Sequence, residues 1–171
     1  MKPTIRPETP ADIDAVRAVH KAAFPNPTEA GLVDRLRASG KAKVSLVAEV
    51  EGQIVGHILF SPVTISGPTG DVATGLGLAP LAVLPDVQRR GIGSRLTREG
   101  LDACRNGGYS FVVVLGHPTY YPRFGFERAD PRGIGNEYGA DEAFMVLELL
   151  PGSLPAEGLA KYAAEFAETQ W

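Results

Sequence analysis

The chain holds 171 residues, enough for one domain with a substantial core, since domains commonly run to ~100–200 residues. Hydrophobic residues make up 44% and charged residues 22%, the balance of a globular chain and not of a disordered or fibrous one. The formal charge of −3, without a basic tail, leaves little to neutralise a phosphate backbone, so nucleic acid is not an expected partner; one cysteine excludes an intrachain disulfide, and three scattered histidines offer no metal spacing. With no apolar signal core at the start and no run of ~18 apolar residues, a cytoplasmic protein with no membrane partner is expected.

Ile5 and Arg6 read as a short first strand. Thr9-Pro10-Ala11-Asp12 then supplies a capping residue, a proline suited to the first helical position and an acid in the first turn. Ile13, Val16, Val19, Ala23 and Phe24 recur at helical spacing until Pro25 stops the helix. A second helix starts near Asn26-Pro27-Thr28-Glu29, buries Leu32, Val33 and Leu36, and ends at Gly40. Residues 44–50 alternate, Glu51-Gly52 turns the chain, and residues 53–65 alternate again, which is the pattern of a β-hairpin. Residues 66–75, rich in Gly, Pro and Thr, read as a loop, with a further strand at 78–84. Residues 92–105 predict a helix with Ile92, Leu96, Ala103 and Cys104 inward, closed by Asn106-Gly107-Gly108. Residues 109–115 form an apolar run typical of a strand covered on both faces, so strand, helix and strand imply a parallel crossover. An aromatic segment at 117–126, a polar Gly-rich stretch and a strand at 144–150 follow. Leu159, Tyr162 and Phe166 are spaced for one face of a short last helix. The expected fold is α/β, one domain over 1–171 with its core at about 4–150 and the remainder an extension.

The chemistry concentrates where the strand at 78–84 gives way to a helix through Gln88-Arg89-Arg90-Gly91-Ile92-Gly93-Ser94. Free N–H groups at a helix start point at whatever sits there, the helix dipole favours an anion, and two glycines let the backbone approach a pyrophosphate. Arg89 and Arg90 can add charge-assisted contacts. The loop has no Gly-Lys-Ser/Thr ending and no third glycine at Leu96, so it is neither a P-loop nor a dinucleotide fingerprint. Taken alone it fits equally a tight strand-to-helix turn with solvated arginines.

Gln88-x-x-Gly91-x-Gly93 resembles the coenzyme A signature of the GNAT superfamily of N-acetyltransferases, and Tyr121-Pro122-Arg123-Phe124-Gly125-Phe126 resembles its later Tyr-x-x-x-Gly-Phe motif. Together with Gly77-x-x-Pro80-Leu81-Ala82-Val83 and the run from Gly116 to Phe126, the pattern is similar to a bacterial subgroup of predicted acetyltransferases, over roughly residues 5–150. The resemblance implies a mixed central sheet splayed between its fourth and fifth strands, helices on both faces, and acetyl-CoA as cosubstrate with no metal. It also implies an amine acceptor of small-molecule or peptide type; homodimers are common in the superfamily. The pantetheine arm would pair with the backbone of Leu81, Ala82 and Val83, where Pro80 suits an interrupted ladder, and an N–H near Val83 would polarise the thioester carbonyl. Gln88 to Ser94 would hold the pyrophosphate. Tyr121 matches the tyrosine that protonates the departing thiolate, with Tyr120 as second choice, and the phenol's ordinary value of about 10 suits that role. No acid stands on 78–84 to serve as base. His57 is a candidate for that role, although a lone histidine between Gly56 and Ile58 is more often a hydrogen-bonded structural residue, and Glu49, Asp71 and Glu142 rank behind it. Gly116-His117-Pro118 stands where many members carry an asparagine, and Cys104 reads as helix packing. The acceptor site would draw on residues 24–28 and 133–142. The rival reading is a non-catalytic module or sensor that binds coenzyme A or an acyl-CoA.

Overall fold

The structure is a computed structural model that describes residues 2–168. Its elements run β1 (Thr4–Pro7), α1 (Ile13–Ala23), α2 (Thr28–Ala38), β2 (Val44–Val50), β3 (Gln53–Gly67), β4 (Gly70–Val83), α3 (Ile92–Asn106), β5 (Phe111–Leu115), β6 (Glu127–Arg128), β7 (Ile134–Asn136), β8 (Phe144–Glu148) and β9 (Gly158–Tyr162). Of the described residues, 2–60, 80–102 and 164–168 form one compact unit, and 61–79 with 103–163 form a second; β3, β4 and α3 each contribute to both. No described helix is long and apolar enough to cross a membrane.

In the first unit β1, β2 and β3 pair antiparallel. The β2–β3 turn is set by Glu51 and Gly52, both at positive φ (51° and 79°), the two-residue geometry whose twist matches the strands it joins. Before α1, the Asp12 carboxylate accepts from the N–H (2.8 Å) and hydroxyl (3.1 Å) of Thr9, so an acid in the entry turn ties down a free donor. α2 closes as its sequence predicts: Gly40 takes φ 73° and the N–H of Lys41 reaches the carbonyl of Leu36 at 2.8 Å. Alternation on β3 sends its residues to two helices. Gly56 faces Leu96 and Ile92 of α3, and Phe60 lies under Gly100, where a Cβ would come within 2.5 Å of the ring. His57, between them, points the other way and meets His20 of α1. Helices therefore cover both faces of this strand, as the sequence leads one to expect.

In the second unit the strand order is β3-β4-β5-β8-β6, with β9 antiparallel to β3 and parallel to β7. β4 and β5 are the parallel pair that the crossover through α3 demands, and β5 and β8 are antiparallel, so the sheet is mixed. The β4–β5 ladder covers Leu76↔Val112 to Leu78↔Val114, whereas β4 itself continues to Val83, and Pro80 brings no N–H to that continuation. The core of the unit is Val63, Ile65, Phe111, Val113, Ile134, Phe144 and Val146, with Ala129 and Ala160 filling the narrow gaps.

Two expectations are corrected. Residues 66–75 are mostly strand: β3 runs to Gly67 and β4 starts at Gly70, so only the tip is a turn. Gly75 is needed for close approach, since a Cβ there would stand 2.6 Å from the carbonyl oxygen of Phe111, whereas Gly70 takes φ 117° beside the turn. The predicted last helix is β9 followed by a 3-10 turn, Ala164–Glu168. Its residues alternate in burial, with Ala160 buried and Leu159 39% exposed, and its backbone is claimed by β3 and β7.

Candidate active site

The loop after β4 is built by local backbone chemistry within the first unit. Leu84 anchors the strand end by donating its N–H to the carbonyl of Val55 at 2.8 Å. After a 3-10 turn, Pro85–Val87, the Gln88 side chain reaches back and donates to the carbonyl of Val83 at 2.9 Å, latching the loop to the strand. Gln88 is thus engaged through its side chain in shaping the loop, and its sequence signature marks that structural role. Arg89 then takes φ 65°, a left-handed conformation uncommon for a residue with a side chain, and Gly91 takes φ 80°. Alternation of this kind turns successive N–H groups to one side and makes a concave anion seat. The first bond of α3 that reaches back to the loop is from the N–H of Arg95 to the carbonyl of Gly91, at 3.0 Å, so the N–H groups of Ile92 and Gly93 precede the helical ladder and face outward at its start. Arg89 and Arg90 are exposed beside them, and the backbone of Leu81, Ala82 and Val83 leads into the same loop.

His57 does not stand on a cleft wall. It is fully buried, its Nδ1 lies 2.8 Å from Nε2 of His20 and its Nε2 lies 2.8 Å from the Ser45 hydroxyl, so neither nitrogen is offered to solvent. His20 is equally buried, stacks on Phe24 at 6.0 Å, and leaves its Nδ1 without a hydrogen-bond partner. No sequence pattern signals this pair, because its members lie 37 positions apart on different elements. The remaining candidate bases are engaged or exposed. Glu49, just past a bulge in β2, accepts from Arg6 at 2.8 Å; Asp71 accepts from the Ser66 hydroxyl at 2.8 Å; Glu142 is exposed.

The histidine pair carries a stability prediction. Burial, reinforced by the charge of Arg37, holds His20 down to about 4, and burial with the charges of His20 and Arg37 holds His57 well below the usual value. Below about pH 6.5 the unfolded chain takes up protons that the folded one refuses, so stability falls as pH drops from there towards about 4. For His20 alone the loss by pH 5 is roughly 2 kcal/mol. Urea unfolding at pH 7 and pH 5 should show a lower midpoint at pH 5, and His20→Gln should flatten that dependence; an equally steep dependence in the variant would contradict the assignment.

Tyr120 and Tyr121 belong to the second unit. The chain leaves β5 through Gly116 and enters a 3-10 turn, Tyr121–Phe124, closed by Gly125 at φ 100°, so the Tyr-x-x-x-Gly-Phe spacing encodes one tight turn followed by a left-handed exit. Tyr121 is 8% exposed and packs edge-on against Tyr120 at 5.0 Å and Phe126 at 5.7 Å. Burial, with the nearby Tyr120 phenol adding to it, pushes its hydroxyl well above the usual range, so it stays protonated at any working pH. Tyr120 is half-buried under the guanidinium of Arg123, 4.9 Å above its ring. Cys104 is fully buried and its thiol is pushed up to about 12 by burial, which suits packing and not acyl transfer. Among the described residues no cluster of three or more His, Cys, Asp or Glu is placed to hold a metal.

Comparison with known proteins identifies the family. Residues 4–129 match the model of the acetyltransferase (GNAT) domain. The N-acetyltransferase YhbS of Escherichia coli K12 is 38% identical over 165 residues, which cover 95% of this chain and 97% of that protein. Among solved structures, that of Escherichia coli YhbS in complex with CoA superposes with a TM-score of 0.86 at 36% identity, covering 98% of this chain and 93% of that one. A GNAT acetyltransferase from Brucella melitensis in complex with acetyl-CoA gives 0.80 at 40% identity, covering 96% and 98%. With the domain model matched from β1 through the tyrosine turn, and the fold shared along nearly its whole length with such relatives, this chain belongs to the GNAT family of N-acetyltransferases.

Proposed function

We propose that the protein transfers the acetyl group of acetyl-CoA directly to a primary amine in the cytoplasm, with Tyr121 as general acid. The observation that carries the reading is the anion seat: Arg89 and Gly91 at positive φ, followed by the helix-start N–H groups of Ile92 and Gly93, a geometry suited to a pyrophosphate. Its support from outside the chain is that two relatives sharing the fold were solved with CoA and with acetyl-CoA.

In the proposed reaction the neutral amine nitrogen attacks the thioester carbonyl and the C–N bond forms. The C–S bond then breaks, the thiolate takes the proton of the Tyr121 hydroxyl, and the surplus proton on nitrogen passes to solvent, from which the phenol is reprotonated. The backbone of Leu81, Ala82 and Val83 aligns the pantetheine arm, and a main-chain N–H near Val83 stabilises the oxyanion. Neither buried histidine takes a proton from the amine in this scheme. Arg89 and Arg90 contribute attraction that solvent and salt screen, so Arg90→Ala should weaken CoA binding by less than about tenfold, and less so as salt is raised.

The test is acetyl-CoA consumption across a panel of amines, read by thiol release and by mass of the product. Thiol release that depends on an added amine, with an acetylated amine recovered, is the expected result. Tight binding of acetyl-CoA with no amine-dependent release across the panel would favour a sensor.

A further inference from the structure

The peptide group between Val83 and Leu84 faces two ways. Its N–H, on Leu84, donates to the carbonyl of Val55 on β3 at 2.8 Å. A trans peptide points its carbonyl opposite its N–H, so the carbonyl of Val83 is turned away from β3. The carbonyl of Ala82 lies on the β3 side, 3.3 Å from where a Cβ on Gly56 would stand. Alternation along the strand then places the backbone groups of Leu81 on the same outer edge as those of Val83. On that edge the ladder with β5 has its last rung at Leu78, and β4 runs on to Val83.

An extended ligand laid along this edge from the loop meets the carbonyl and N–H of Val83 first, then the carbonyl and N–H of Leu81. The first of these groups is already engaged, because Nε2 of Gln88 donates to the Val83 carbonyl at 2.9 Å. The 3-10 turn between them, closed by the N–H of Val87 on the carbonyl of Leu84 at 3.0 Å, brings Gln88 back over the strand end. The acceptor left for an amide of the ligand is the carbonyl of Leu81, two residues further along and about 7 Å away.

We propose that Gln88 is a positioning residue that sets the register of the pantetheine arm on β4: by covering the carbonyl of Val83 it sends the arm's amide N–H on to the carbonyl of Leu81. The inference rests on the arm pairing with β4, as in the proposed function. With the pyrophosphate held at the start of α3, an arm whose amide stopped at Val83 would leave the acetyl group about 7 Å short of its place. Such a complex is bound but unproductive.

Gln88 is exposed, so Gln88→Ala should fold, and it uncovers the Val83 carbonyl. An added unproductive mode lowers turnover while tightening the hold on the arm. With acetyl-CoA and the panel amine of highest turnover, kcat at saturation should fall about 5-fold, the scale of one competing amide hydrogen bond. ADP carries the diphosphate without the arm and so reports the loop alone. The ratio of CoA affinity to ADP affinity, measured by calorimetry, should be about 5-fold higher in Gln88→Ala than in the wild type. If Gln88 only shapes the anion loop, both affinities fall by one factor and kcat at saturation is unchanged. An unchanged kcat, or an affinity ratio that does not rise, would overturn the register role while leaving the arm on β4. A wild-type protein that binds CoA no more tightly than ADP would overturn the pairing of the arm, and the inference with it.

Discussion

Tyr121→Phe is expected to lower kcat by roughly 10²-fold or more while acetyl-CoA affinity stays nearly intact. The thiolate must be neutralised as it departs, and the proposed binding contacts lie at the β4 backbone and the loop, not at this hydroxyl. Burial keeps the oxygen protonated, so the proton is present to give, while the same burial makes the phenol a weaker acid than a free one; the ring is fixed by Gly116 and by Phe126. Tyr120→Phe should do much less, since that ring is half-buried and engaged with Arg123. A purely structural Tyr121 would instead lose about 1 kcal/mol of stability with normal turnover in the folded fraction. Rates for both variants, corrected for folded protein by thermal melts, separate the two outcomes, and a fully active Tyr121→Phe would mean that another group or water supplies the proton.

Features set by a few adjacent residues were legible in the sequence. The entry to α1, the Glu51-Gly52 turn, the close of α2 at Gly40 and the loop from Gln88 to Gly93 each follow from backbone preferences written within a handful of positions. Features set by distant packing were not. Gly75 looks like a loop residue until Phe111 arrives to occupy the space it leaves. Leu159, Tyr162 and Phe166 carry a helical period by coincidence, and the segment is a strand because β3 and β7 bring it hydrogen-bonding partners. His57 resembled a candidate base because nothing near it in sequence reveals His20, whose nitrogen closes one side of its ring. Of the proposed site, the anion loop and the tyrosine turn were visible in the residues.

Gly93→Val should weaken CoA binding by about 100-fold or more, some 2.7 kcal/mol, while leaving the protein folded. Valine costs no more than glycine inside a helix, and Gly93 lies in the first turn of α3, so the helix should survive. The damage falls on the ligand: a branched side chain beside the outward N–H groups of Ile92 and Gly93 holds a pyrophosphate away from the donors that would bind it. Calorimetric titration of CoA into the wild-type protein and into Gly93→Val, each shown to be folded by circular dichroism, tests the central claim most directly. Clear binding to the first and a loss of at least about 100-fold in the second are expected, whereas equal affinity in the two would contradict the placement of the pyrophosphate at the start of α3.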